Sequence, residues 1–305
     1  MKQDKPISAS GSLIERASEV YDFGGVFKTA GQNDGVVVTP APKTAPTIQP
    51  PVMQETAPAS GNAVAPLDIA TLRESGFIEP GTAPSILSEE FRLVKRQLMV
   101  TAFGGRSAPP LERGRAILVC SAQPNEGKTF CSVNLALSFA SERDVEVLLV
   151  DADVAKPEIL STLGIEGGPG LMDAIADPSL DVENLIIPTS IPTLSVLSAG
   201  RQTNCDTELL ASARTQIVIE SMLAKKPKRI IIFDTAPALA ASPASVLAQH
   251  VGQILMIVRA DRTGENELRE AISLLDGCEH IQLLLNGASF GGAHQKFGSY
   301  YGYGG

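Results

Sequence analysis

From residue 116 onward, short apolar runs alternate with longer stretches in which apolar positions recur every three or four residues. The runs at 116–120, 146–151, 194–198, 229–234, 253–259 and 281–286 are short, bounded and rich in Ile, Val and Leu, as buried strands are. Between most of them, 128–142, 207–225, 242–251 and 264–277 carry the helical period. This alternation predicts an α/β domain built on a doubly wound, mainly parallel sheet, with ligands at the carboxyl ends of its strands. Ahead of it, 85–100 predicts a further helix, with Ile86, Phe91, Val94 and Leu98 on one face and Glu89, Glu90, Arg92, Lys95 and Arg96 elsewhere.

Upstream the pattern changes. Thr39 to Pro66 is crowded with Pro, Ala, Thr and Ser, and offers too little apolar surface to offset its ordering entropy. Ser12 to Tyr21 has apolar positions at helical spacing behind a capping Ser, which fits either a short docking helix or a transient one. The expected organisation is a mostly disordered arm and linker over 1–84, a folded domain over 85–289, and a flexible Gly- and Tyr-rich tail over 290–305.

Composition narrows the classes. A chain of 305 residues, 44% hydrophobic, buries one full α/β core and carries a substantial extra segment. A net charge of −9 excludes a nucleic-acid surface, since the only basic clusters, Arg113 to Arg115 and Lys225 to Arg229, are short. Cys120, Cys131, Cys205 and Cys278 lie far apart, with no C-x-x-C spacing, and read as small buried hydrophobes in a reducing compartment. No apolar stretch approaches the roughly 20 residues of a membrane span, and Met1-Lys2-Gln3-Asp4 does not open a signal peptide. The expectation is a cytoplasmic protein whose membrane association comes through a partner.

The chemistry is concentrated in three places. Ser121 to Thr129 reads SAQPNEGKT, directly after the first apolar run and before the first helix of the alternation. Strand, loop and helix in that order aim backbone N–H groups at phosphate oxygens, while Lys128 adds a positive charge and Thr129 a metal-binding hydroxyl. Ala122 stands where the general pattern has Gly. Pro124, Asn125, Glu126, Gly127, Lys128, Thr129 and Phe130 are the candidate ligand-binding residues, and a nucleoside triphosphate the candidate ligand. Two further runs end in acid, Leu148 to Val150 in Asp151-Ala152-Asp153 and Ile230 to Phe233 in Asp234. Thr129, Asp151 and Asp234 offer Mg²⁺ a hydroxyl and two carboxylates; taken singly, each Asp also fits a turn or a helix cap. Finally, the last six residues hold Tyr300, Tyr301 and Tyr303, three of only four tyrosines in the chain. Phenols on a glycine-rich tail tethered to a triphosphate-binding core suggest a phosphoryl acceptor, the alternative being a tail that adheres to a partner.

Together these residues resemble the bacterial tyrosine kinase family, the cytosolic autokinases of capsule and exopolysaccharide export, and most of all their exosortase-associated subgroup. The resemblance covers about 85–305, with 12–21 similar to that subgroup's N-terminus. It implies a P-loop NTPase fold of the deviant-Walker type, in which Ala or Gly opens the loop, as Ala122 does here. The family's D-x-D-x-R motif is matched by Asp151 and Asp153, with Ala155 where Arg is usual and Lys156 next; its D-[ST]-P-P motif is matched at Asp234-Thr235, with Ala236 for the first Pro. An E-x-x-R-x-x-R helix that packs subunits into a ring is matched by Glu89, Arg92 and Lys95, so the resemblance implies a homo-oligomer joined through 86–98. Asn286 resembles the strand-end Asn that recognises adenine in related ATPases, and also fits a turn residue.

The resemblance implies ATP and Mg²⁺ as cofactors and phosphorylation of the chain's own Tyr300, Tyr301 and Tyr303. Lys128, Asp151, Asp153 and Asp234 would be catalytic, Asp151 or Asp153 taking the phenolic proton. It also implies a membrane-embedded polysaccharide chain-length regulator, a co-polymerase, as activator at the inner face of the plasma membrane. Two other readings are a positioning ATPase of the division and partition type, which usually has a second Lys early in the loop that Ser121 to Glu126 lacks, and a nucleotide-binding scaffold for polysaccharide export.

Overall fold

The structure, a computed structural model, describes residues 63–106, 108–203 and 205–288. The 12–21 helix, the linker as far as residue 62, and Tyr300, Tyr301 and Tyr303 lie outside these residues. In chain order the elements are α1 (Ile69–Glu74), α2 (Ile86–Phe103), β1 (Ala116–Ser121), α3 (Lys128–Ala140), β2 (Glu146–Ala152), α4 (Ile159–Leu163), α5 (Leu171–Ala176), a 3₁₀ turn at Val182–Leu185, β3 (Ile187–Pro188), β4 (Leu194–Leu197), α6 (Asp206–Leu210), α7 (Ala213–Lys225), β5 (Arg229–Thr235), α8 (Pro243–Ala248), β6 (Gln253–Arg259), α9 (Glu265–Ser273) and β7 (Ile281–Asn286). The strands form one seven-stranded sheet in the order β3-β4-β2-β5-β1-β6-β7. Every pairing is parallel except that of β3 with β4.

Helices cover both faces, as a parallel sheet requires. On one face Leu118, Val150, Phe233 and Met256 pack against α5, α7 and α8; on the other Ile117, Leu149, Ile232 and Leu255 pack under α2 and α3. β1 is buried at all six positions, which is why it reads as an unbroken apolar run rather than an alternating one.

The folded unit starts earlier than the expected boundary at residue 85. Ala65 bridges to Thr189 beside β3, and Leu67, Leu72 and Ile78 are buried in the α2–α3 face. The Ile78 amide donates to Asn134 Oδ1 at 2.8 Å, and the rings of Phe77 and Phe130 lie 5.2 Å apart. This belt is ordered by contacts with distant residues, although its own sequence is weakly apolar.

Other departures have local causes. The 207–225 stretch is two helices, because Ser212 is extended (ψ 154°) and breaks the helical path before α7 begins. On α2, where Ser85 and Ser88 cap each other reciprocally, Ile86 is 48% exposed and Lys95 only 4% exposed, the reverse of the expected faces. Lys95 is buried because its ammonium donates to the Ser138 carbonyl at 2.9 Å and pairs with Glu142 at 2.6 Å, pinning α2 to the end of α3. Arg92 pairs with Glu89 within α2 at 3.1 Å, so of the three residues matched to the ring-forming motif, Lys95 is committed inside the subunit. Cys120, Cys131 and Cys278 are buried, whereas Cys205 is exposed.

Candidate active site

β1 delivers the chain to the loop that precedes α3 in the middle of the sheet. Asn125 takes φ +64° and Gly127 φ +94°, turning successive backbone units into a concave cradle. A Cβ at 127 would come within 2.3 Å of Asn286 Nδ2, so only glycine permits this approach. Lys128 and Thr129 open α3, where the helix dipole favours an anion.

The neighbouring strands bring the carboxylates. Asp151 at the end of β2 and Asp234 at the end of β5 are direct register partners, and Asp234 also pairs with Val119 of β1. Both are buried, at 0% and 1% exposure. Asp234 accepts the Thr129 hydroxyl on Oδ2 at 2.7 Å and the Ser132 hydroxyl on Oδ1 at 2.9 Å. Ser132 is a site residue the sequence reading missed; it stands three positions after Thr129, on the same helical face. Asp151 accepts the amides of Ile159 at 3.0 Å and Asp153 at 3.3 Å, so it also caps the turn into α4. Asp153 is half-buried and accepts the Lys156 amide at 3.1 Å.

Burial sets the electrostatics. Desolvation pushes Asp151 up to about 7, the Ile159 amide opposing it, and Asp234 up to about 6, against its two hydroxyl bonds and the Lys128 charge. Burial also raises Asp153. One hydroxyl and two carboxylates, all oxygen donors and carrying no ion pair to a basic side chain among the described residues, match the preference of a hard divalent cation.

The remaining sequence candidates fall as follows. Asn286, at the end of β7, donates its amide to the Glu126 carbonyl at 2.9 Å, which places it against the phosphate loop. Ala155 is exposed, and Lys156 pairs with Glu158 at 2.7 Å rather than filling the place of the usual Arg. Ala236 is buried, and the segment after it is tied to the end of β1 by Ala238 N to Ser121 O (2.8 Å) and Leu239 N to Ala122 O (3.2 Å), so the turn is held without the usual proline. Phe130 packs toward the belt residue Phe77. No helix among the described residues is long and apolar enough to cross a membrane.

A parallel sheet whose central strand feeds a glycine-lysine-threonine cradle, flanked by two acidic strand ends, defines a P-loop NTPase domain, and residues 113–261 match the family described as ParA: NUBPL iron-transfer P-loop NTPase. Within that class the chain is similar to proteins named as bacterial tyrosine-protein kinases. It is 32% identical over 156 residues to the tyrosine-protein kinase ptk of Acinetobacter johnsonii, an alignment covering 51% of this chain and 21% of that one. It is 27% identical over 221 residues to the tyrosine-protein kinase YwqD of Bacillus subtilis, covering 72% and 87%. The kinase domain of the Escherichia coli tyrosine kinase ETK superposes with a TM-score of 0.59 at 21% identity, over 76% of this chain and 92% of that one, a likeness of fold. The chain thus spans about a fifth of the length of ptk and most of YwqD.

Proposed function

We propose that this chain is an ATP-dependent protein-tyrosine autokinase that phosphorylates Tyr300, Tyr301 and Tyr303 in its own C-terminal cluster and thereby regulates exopolysaccharide polymerisation or export. The observation that carries the reading is the meeting of three features at one sheet edge: the Lys128–Thr129 cradle, the Asp151–Asp234 pair, and the end of β7, whose Asn286 lies 2.9 Å from the phosphate loop. Tyr300 follows Asn286 by 14 residues, and a fully extended stretch of that length spans at most roughly 50 Å. Asn286 adjoins the phosphate loop of the same chain, so that reach takes in its own cradle, and tethering raises the effective concentration of the phenol.

Asp234, Asp151 and Thr129 are assigned to the cation. Bound there, Mg²⁺ would neutralise charge on the β and γ oxygens of ATP. Asp153 is assigned as the base: it is half-buried and reachable, whereas Asp151 is fully enclosed. The phenolic oxygen forms its bond to the γ-phosphorus as the bond to the β–γ bridging oxygen breaks; the proton passes to Asp153 and ADP leaves. Lys128 and the loop amides stabilise the charge that builds on the transferred group.

A homo-oligomer joined through α2 is part of the proposal. Ile86, Leu93 and Val100 are exposed at seven-residue intervals along that helix, at 48%, 57% and 53%. A membrane-embedded chain-length regulator is the proposed activator, recruiting the cytoplasmic chain to the inner face of the plasma membrane, as the likeness to the exopolysaccharide autokinases suggests. The organisation proposed is an arm ahead of the folded belt, the kinase domain, and the tyrosine tail.

The test is incubation of the purified chain with Mg²⁺ and ATP, with and without the regulator's cytoplasmic segment, followed by mapping of phosphotyrosine. Phosphate on the tail that is lost in Lys128→Met and Asp153→Asn supports the proposal. The match of 113–261 to the ParA family favours a second reading, a nucleotide-driven assembly switch. ATP hydrolysis coupled to a change of oligomeric state, with no tyrosine modified in either condition, selects it.

A further inference from the structure

Glu126 stands immediately before Gly127 in a loop shaped for phosphates, where a carboxylate facing the ligand would repel it. Its side chain turns the other way and is 3% exposed. One oxygen accepts the Gln123 amide at 2.9 Å and the other accepts the Thr263 hydroxyl. The Thr263 oxygen itself accepts the Arg259 amide at 2.8 Å, which leaves its proton for Glu126. Asn286 donates to the Glu126 carbonyl at 2.9 Å. Around this centre, Gln123 Nε2 donates to Glu267 at 3.2 Å, and the other Glu267 oxygen accepts the Gly264 amide at 3.1 Å. A single buried carboxylate therefore joins the phosphate loop to the 259–267 segment, while the same residue's main chain is held by the end of β7.

Strand order gives this joint a direction. The acidic ends of β2 and β5 lie on one side of β1, and β6 and β7 lie on the other. A triphosphate whose terminal phosphate meets Asp234 and Asp151 must then direct its nucleoside toward β6 and β7, over the 259–264 turn. We propose that Gln123 and Thr263, each bonded to Glu126, and Glu267, bonded to the Gln123 side chain, are positioning residues that fix the distance between the phosphate cradle and the wall that receives the nucleoside. This rests on the nucleotide-binding part of the function proposed above and is independent of tyrosine transfer.

The test uses the full chain with Thr263→Val and Thr263→Ser, reading the affinity for a fluorescent ATP analogue and, by competition, for inorganic tripolyphosphate. Valine keeps the shape and removes the hydroxyl. The expected result is a loss of about tenfold or more in affinity for the ATP analogue with valine, less than about threefold for tripolyphosphate, and recovery to within about twofold with serine. Equal weakening of both ligands would reduce the joint to general loop stability and overturn the proposal; so would wild-type binding by the valine variant or failure of serine to restore it. If the valine chain melts early, Glu267→Ala supplies the same comparison, with the ATP analogue again weakened more than tripolyphosphate and unchanged binding overturning the idea. Nucleotide bound normally by the wild-type chain without phosphotyrosine would sink the kinase reading and leave this test fully readable.

Discussion

Asp151 and Asp234 are register partners across adjacent parallel strands, both almost completely buried and neither paired with a cation among the described residues. Two acids enclosed side by side favour the protonated form, and a cation bound between them would favour the ionised one.

The pH dependence of stability follows for Asp234. Its folded value of about 6 lies above the unfolded 3.8, so its contribution to stability is fully present below about pH 4 and is lost as pH rises through 6. Asp234→Asn removes that titration, and the Thr129 and Ser132 hydroxyls can turn to meet the amide. In nucleotide-free protein the variant is expected to be more stable than the wild type at pH 8, by on the order of 1–3 kcal/mol, with the gap closing toward pH 4. Urea unfolding at several pH values checks this; a variant weaker than wild type at pH 8 contradicts it. The same variant should lose Mg²⁺-dependent tyrosine phosphorylation.

A chain begun at residue 85 should fold poorly. It lacks Leu67, Leu72 and Ile78, each worth roughly 1.5–3 kcal/mol when buried, and leaves Asn134 Oδ1 without the Ile78 amide. Against a chain begun at 63, the expected change is a fall of several kcal/mol or failure to express as soluble monodisperse protein, measured by denaturant midpoint and size-exclusion chromatography. Matching midpoints would show that the belt is dispensable.

The two basic residues of the α2 motif should behave oppositely. Lys95→Ala leaves a void, takes one of two hydrogen bonds from the Ser138 carbonyl and strips Glu142 of its partner, and should cost about 2–4 kcal/mol. Arg92→Ala removes a half-exposed pair within one helix and should change stability by no more than about 0.5 kcal/mol. Any effect of Arg92→Ala on oligomer size in sedimentation is then attributable to the surface.

Thiol chemistry offers a quick check of packing. Cys120 and Cys131 are enclosed, with their thiols pushed up to about 12 chiefly by burial, and Cys278 is also buried. Native protein should therefore present one fast-reacting thiol to an aromatic disulfide reagent, assigned to Cys205 by its absence in Cys205→Ser. The other three should react only on unfolding.

What the sequence made legible was whatever depends on local pattern. Parallel central strands are apolar on both faces, so 116–120 and 229–234 announce themselves, and the acids that end two such runs meet as register partners on one edge of the sheet. The belt at 63–84 escaped because α1 is less than two turns long, and its three buried residues are spaced by contacts with other elements rather than by a period of their own. Lys95 escaped because its burial depends on Ser138 and Glu142, more than 40 positions away. For Glu126 the sequence showed membership of the loop but not the inward turn of its carboxylate, which is set by Thr263 across the sheet edge.

The anchoring of Lys95 has a mechanical consequence. α3 starts in the phosphate cradle at Lys128 and ends at Ala140, a rigid rod of 13 residues and about 20 Å, and its far end is gripped through Ser138 and Glu142 by a lysine of α2. The exposed ridge of α2 and the first turn of α3, with Lys128 and Thr129, are therefore joined through a single buried ammonium, so the surface and the cradle share one rigid strut.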